Sequence, residues 1–305
     1  MEWLSEPFSH HFMVRAALSC VLVGFLNGFL GTFVVLRRLA LMADSLSHSL
    51  LPGLAVGVML FGLAPLGLFV GALGAALVVA LGAQLLSRGT RIKEDTALGI
   101  LYTVAFSIGV VLLSVVRTRV SLVHYLFGNI LGVSNQDLGI LYGISLLVLP
   151  VLVGLQRPLL LTLLDPMVAR AQGIRIGMIE GVLTVCLVLT MIGSLQAVGV
   201  IMLLGLLIAP AATVYLLCDS YTAMLWGGAG LGAFGAFGGL LLSYWIDAPS
   251  GACIVLLLGA LFLAAYLFSP RYGVLTKYLR RGHFHDESLA RWNPDDHHHP
   301  DPRKN

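Results

Sequence analysis

Apolar runs of about 20 residues, the length that crosses a bilayer as a helix, recur along nearly the whole chain. In hydrocarbon every backbone amide and carbonyl needs a partner inside the protein, which favours helices. Nine candidate spans are readable: 12–36, 39–63, 65–86, 96–116, 138–155, 176–195, 198–217, 221–245 and 252–268. The expectation is an all-α integral membrane protein of about nine transmembrane helices. If the first segment were re-entrant, eight would remain. A shorter apolar piece, Leu122 to Val133, is too short to span and reads as re-entrant or interfacial.

Composition agrees. The charged share is 11% and the hydrophobic share 58%, whereas a soluble domain carries about 25% charged residues. Cys20, Cys186, Cys218 and Cys253 fall singly inside apolar segments, so neither a disulfide framework nor a zinc finger is indicated. The N-terminal stretch lacks a basic n-region and a small-residue cleavage site, and does not read as a removable signal peptide. Two units are expected: a transmembrane domain over 1–268 and a polar tail over 269–305.

Lysine and arginine set the orientation. Arg37 and Arg38 follow the first span, Arg88, Arg91 and Lys93 the third, Arg157, Arg170 and Arg175 the fifth, and Arg271, Lys277, Arg280 and Arg281 the ninth. These loops alternate with basic-poor ones at 62–64, 196–197 and 247–250. The pattern places the N-terminus outside and the C-terminus in the cytoplasm; Arg117 and Arg119 run against it. The polar stretch 156–175 holds a short helix in which Asp165 caps, Pro166 opens and Gly173 closes. It is either a docking element for a soluble partner or a simple interfacial helix.

The chemistry concentrates at 37–57, RRLALMADSLSHSLLPGLAVG. Asp44 and His48 are four residues apart, so a helix presents both from one face. Pro52 then reads as a helix break. A carboxylate with a neutral imidazole suits Zn, Mn or Fe(II), but two ligands make only half a site. A symmetric dimer would supply two of each, and its two carboxylates would cancel one divalent charge. The bland reading is a helix-end acid beside a hydrogen-bonded histidine. Glu180, Asn27, Gln84 and Gln196 read as interhelical hydrogen-bonding groups. His10, His11 and His124 read as solvated or interfacial. The tail carries His283, His285, His297, His298 and His299, with Asp295, Asp296 and Asp301 beside the last cluster; it is either a metal-binding tract or a solvated, disordered one.

Absent motifs narrow the class. None of the three lysines, Lys93, Lys277 and Lys304, lies in a GxxxxGK[ST] loop, so ATP cannot be cradled in the Walker manner. No HExxH or GxSxG occurs, which leaves a membrane hydrolase unsupported. A stand-alone transporter, using Asp44, His48 and Glu180 as a proton relay, remains open.

Five segments in order resemble the permease subunits of bacterial ABC importers for zinc, manganese and iron. They are LALMADSLSHSLLPGLAVG (39–57), EDTALGILYTVAFSIGVVLLS (94–114), YLFGNILGVSNQDL (125–138), SLQAVGVIMLLGLLIAPAAT (194–213) and DAPSGACIVLL (247–257). Ala43 stands where that family usually has Gly, and Asn129 where Asp is usual. The resemblance implies a homo- or heterodimer in the bacterial cytoplasmic (inner) membrane, contacting lipid and no nucleic acid. It implies a cytoplasmic ATPase dimer, an extracytoplasmic metal-binding protein, no permanently bound cofactor and no covalent chemistry in this chain. It makes Asp44 and His48 the pathway ligands for the transported metal. It makes DPMVARAQG, with Asp165, Pro166, Ala169, Arg170 and Gly173, the coupling helix that docks the ATPase. Pro52–Gly53 resembles the manganese and iron branch, while the His-rich tail leans towards zinc.

Overall fold

The computed structural model describes residues 11–62, 64–115, 130–270 and 273–276. The described residues fold into helices only: α1 (His11–Leu36), α2 (Ala40–Ser49), α3 (Leu51–Phe61), α4 (Pro65–Gly89), α5 (Glu94–Val115), a 3₁₀ turn (Ile130–Gly132), α6 (Asn135–Leu164), α7 (Pro166–Ala171), α8 (Ile176–Val198), α9 (Val200–Leu217), α10 (Tyr221–Ile246) and α11 (Ser250–Phe268). Among them eight spans are long and apolar enough to cross a membrane, with α2 and α3 acting as one, and Met202–Leu217 is a shorter apolar helix. The first segment is a full-length span rather than re-entrant, so the count of eight arises from the short Met202–Leu217 helix, and including that helix gives the nine apolar segments expected. Of the segment 122–133 only its last four residues are described. Arg117, Arg119, His10, His124, Asn129 and the five tail histidines lie outside the described residues.

The fold is built around α1, the most buried span. It packs along α10 and α9, and also meets α6 and α8. The close approach to α10 requires glycine: a Cβ on Gly28 would strike the Gly228 carbonyl, and one on Gly24 the Gly232 carbonyl. Small residues at such crossings let backbones touch where lipid supplies no hydrophobic drive. Beside them Phe29 meets Trp226 edge-on at 5.5 Å, and Phe33 meets Tyr221 at 6.2 Å. Asn27, fully buried, donates to Ser194 Oγ at 2.8 Å and ties α1 to α8. Gln84 likewise joins Thr184 across α4 and α8 at 2.6 Å. Three cysteines are buried, Cys218 is half-buried, and all four are free thiols, as expected of packing residues.

Three boundaries differ from the sequence expectation. Pro52 interrupts the helix as expected, but the interruption is confined to Leu50, between α2 and α3. It sits in the first turn of α3, where its missing amide is not needed. Leu50 keeps helical angles (φ −72°, ψ −25°) and accepts from the Leu54 amide at 2.9 Å, so the discontinuity is one residue. Gly53, rather than marking a break, lets α3 lie on α4 at Gly71, whose carbonyl a Cβ would strike. Second, the helix that begins at Asn135 continues through Pro150 and Pro158 to Leu164. At 1.5 Å per residue its 30 residues measure about 45 Å, against a hydrocarbon core of ~30 Å. Third, residues 196 and 197 are helical, and the turn falls at Gly199 (φ 81°).

The chain beyond α11 stays packed for a few residues. Ser269 is buried and donates to the Leu216 carbonyl at 2.5 Å, and Thr276 Oγ1 donates to the Ser269 carbonyl at 2.8 Å.

Candidate metal pathway and docking helix

On α2 the residues Met42, Ala43, Leu46, Ser47 and Ser49 are buried. Leu41, Asp44, Ser45 and His48 form the opposite stripe, at the i, i+3, i+4, i+7 spacing of one helical face. Asp44 Oδ1 and His48 Nε2 lie 4.0 Å apart, with side-chain exposures of 54% and 43%. The His48 ring rests edge-to-face on Phe106 of α5, centroids 6.1 Å apart, which holds the imidazole in place. Close packing supports this: a Cβ on Gly109 of α5 would lie 2.7 Å from the Pro52 nitrogen. Pro52 has no amide proton, so the His48 carbonyl loses its usual i+4 donor.

Among the described residues no group of three or more His, Cys, Asp or Glu could hold a metal. Asp44 and His48 are thus a pair of donor side chains, each about half exposed, on a face of α2 that the described residues leave partly open. A charge facing lipid costs roughly 3 kcal/mol on insertion scales, so this face requires water or another protein. Glu180 does not join the pair. Its carboxylate holds Arg88 at 3.0 Å and Arg37 at 3.5 Å, so the proton relay considered from the sequence is not assembled.

The second element is α7. Asp165 accepts from the amides of Met167 (2.9 Å) and Val168 (3.0 Å), and Pro166 opens the helix. At the far end the Gly173 amide donates to the Arg170 carbonyl and the Ile174 amide to the Ala169 carbonyl, with Gly173 at φ 77°. This paired closure needs a left-handed residue, hence the glycine. Ala169 is fully buried and seats the helix on the bundle. Asp165, Pro166, Ala169 and Gly173 therefore shape and anchor α7. Its outward surface is Met167, 82% exposed, with Val168 and Arg170. Met167 and Val168 escaped the sequence reading because apolar residues in an apolar chain carry no signal; only their exposure at a helix tip does.

The third feature is a charge cluster at the α7 end of the bundle. Arg37 follows α1, Arg88 ends α4, Glu94 begins α5 and Glu180 lies in the first turns of α8. Arg37 donates from Nη2 to Thr162 Oγ1 at 3.1 Å, and Arg88 from Nη2 to the Gly177 carbonyl at 3.2 Å. Burial lowers the Arg37 pKa, and the charges of Glu180 and Glu94 oppose that shift.

The family described as the ABC 3 transport family matches residues 9–269. The "Manganese transport system membrane protein MntC" of Halalkalibacterium halodurans is 41% identical over 279 residues, covering 91% of this chain and 94% of that protein. The "Probable iron transport system membrane protein" of Haemophilus influenzae is 37% identical over 268 residues, covering 88% and 97%. Among solved structures, PsaBC from Streptococcus pneumoniae in complex with Fab superposes with a TM-score of 0.79 at 32% identity, over 92% of this chain and 99% of that one.

Proposed function

The chain belongs to the ABC 3 transport family, and from that premise we propose that it is the membrane permease of an ATP-driven importer of divalent metal ions in the bacterial inner membrane. The observation that carries the metal-site reading is the half-exposed pair of Asp44 and His48, with no third ligand beside it among the described residues. A second permease copy, or a close relative, faces it across a two-fold axis. The axis then gathers two carboxylates and two imidazoles, and the loaded site is neutral for a divalent ion. The relatives named above are manganese and iron proteins, which favours those metals over zinc.

The transport cycle follows from chemistry and placement. An extracytoplasmic binding protein delivers the ion. Asp44 and His48 hold it through a hard–borderline donor set that exchanges readily. A cytoplasmic ATPase dimer docks on α7 through Met167, Val168 and Arg170, and its ATP cycle switches the path from outward to inward access. This chain carries no hydrolytic step.

Uptake of radioactive manganese into a transport-deficient host, with unlabelled manganese, ferrous iron and zinc as competitors, tests the reading. Uptake that needs the ATPase subunit and is competed best by manganese or ferrous iron is expected. Uptake that persists without the ATPase and follows the membrane potential would instead make the chain a secondary transporter.

A further inference from the structure

The charge cluster at the α7 end lies on the route between the docking helix and the metal ligands. Helix α7 hangs between α6 and α8. Thr162 lies in the last turn of α6, and Glu180 in the first turns of α8. Arg37 grips both legs at once, with Nη2 on Thr162 at 3.1 Å and Nη1 on Glu180 at 3.5 Å. A guanidinium suits this because its planar fork presents separate donors in fixed directions. With its side chain only 14% exposed, Arg37 is held rather than free in solvent.

On its other side Arg37 is joined to α2 without slack. The Arg38 amide donates to the Val35 carbonyl at 3.1 Å, and the Leu39 amide to the Val34 carbonyl at 2.8 Å. Arg38 sits at φ 58°, the left-handed geometry of a helix-closing turn. The Ala43 amide then donates to the Leu39 carbonyl at 3.0 Å, so α2 starts directly from the turn. Asp44 and His48 follow within the next two turns. Glu180 also draws in Arg88, so the α4–α5 hairpin is tied to the same point. Glu94, at the start of α5, adds a second carboxyl group to the cluster.

We propose that Arg37 is the positioning residue through which movement of the α7 docking helix reaches Asp44 and His48. The assignment rests on reading α7 as the ATPase dock and Asp44–His48 as the metal site. When the ATPase shifts α7, the ends of α6 and α8 shift with it. Arg37 carries that displacement into the turn that aims α2. A mere staple at the bundle end would affect stability, but not the ratio of metal moved to ATP spent.

The test uses the permease purified with its ATPase, reconstituted in vesicles with the metal-binding protein, and reads manganese imported per ATP hydrolysed. Arg37→Gln removes the charge, and Thr162→Val removes one arm with little risk to folding. Arg37→Gln should cut the ratio about tenfold, within the range usual for coupling between sites, while ATP hydrolysis persists. Thr162→Val should lower the ratio less, and Arg37→Lys should restore part of it. An unchanged ratio in Thr162→Val, or equal loss of hydrolysis and import in Arg37→Gln, overturns the assignment. Asp44→Asn in the same vesicles separates the two readings. Wild-type import there sinks the metal site itself, whereas a dead Asp44→Asn with an unchanged Arg37→Gln ratio sinks only the coupling role.

Discussion

Asp44 Oδ1 stands 4.0 Å from His48 Nε2, one turn apart on α2. That distance exceeds hydrogen-bond length, so the two groups are aligned without being spent on each other. Phe106 meets the imidazole edge-to-face, and the His48 side chain is 43% exposed.

Asp44→Asn and His48→Ala should each abolish manganese uptake. Both side chains are about half exposed, so membrane insertion and co-purification of the ATPase should survive. Radiolabelled uptake beside a pull-down checks this; normal uptake in either variant removes the metal site.

Met167→Glu should weaken retention of the ATPase without unfolding the permease, because its side chain touches little of its own bundle. Ala169→Glu, which forces a charge into a closed contact, should lower the melting temperature as well. Retention of the ATPase at wild-type level by Met167→Glu would move the dock elsewhere.

Asp165→Ala should loosen α7 by about 1 kcal/mol, the usual cost of losing an N-cap. Faster hydrogen exchange at Met167 and Val168 would register it, and Asp165→Ser should restore most of the protection.

Gly53→Val should destabilise the permease in detergent, by about 1–3 kcal/mol or more, as overpacking does. Its new side chain would meet the Gly71 backbone, which cannot rotate away. Gly74→Ala on α4 faces open space and should leave the thermal transition where it is. Equal effects of the two would mean that the α3–α4 crossing is looser than described.

What a proline does depends on where in a helix it falls. Pro52 reads as a break because proline removes an amide, while the span beginning at Leu138 is expected to end at Leu155, before Pro158. Pro52, however, falls where a new helical segment begins. Pro158 lies within α6, where buried Leu159 and Thr162 anchor the helix around it. Glu180 was legible as a polar group seeking a partner, but Arg37 and Arg88 could not be named, since each comes from a different helix. Asp165, Pro166 and Gly173 were legible because capping is a local matter of a few adjacent residues.

Local periodicity and chemistry thus carried the helical class, the membrane spans, the α7 caps and the common face of Asp44 and His48, since each depends on residues within a turn or one apolar run. The openness of that face, the glycine contacts of α1 with α10, and the Arg37–Glu180–Arg88 cluster were decided by the tertiary structure. They join side chains far apart in the chain, and only the packing of whole helices brings those together or leaves a face uncovered.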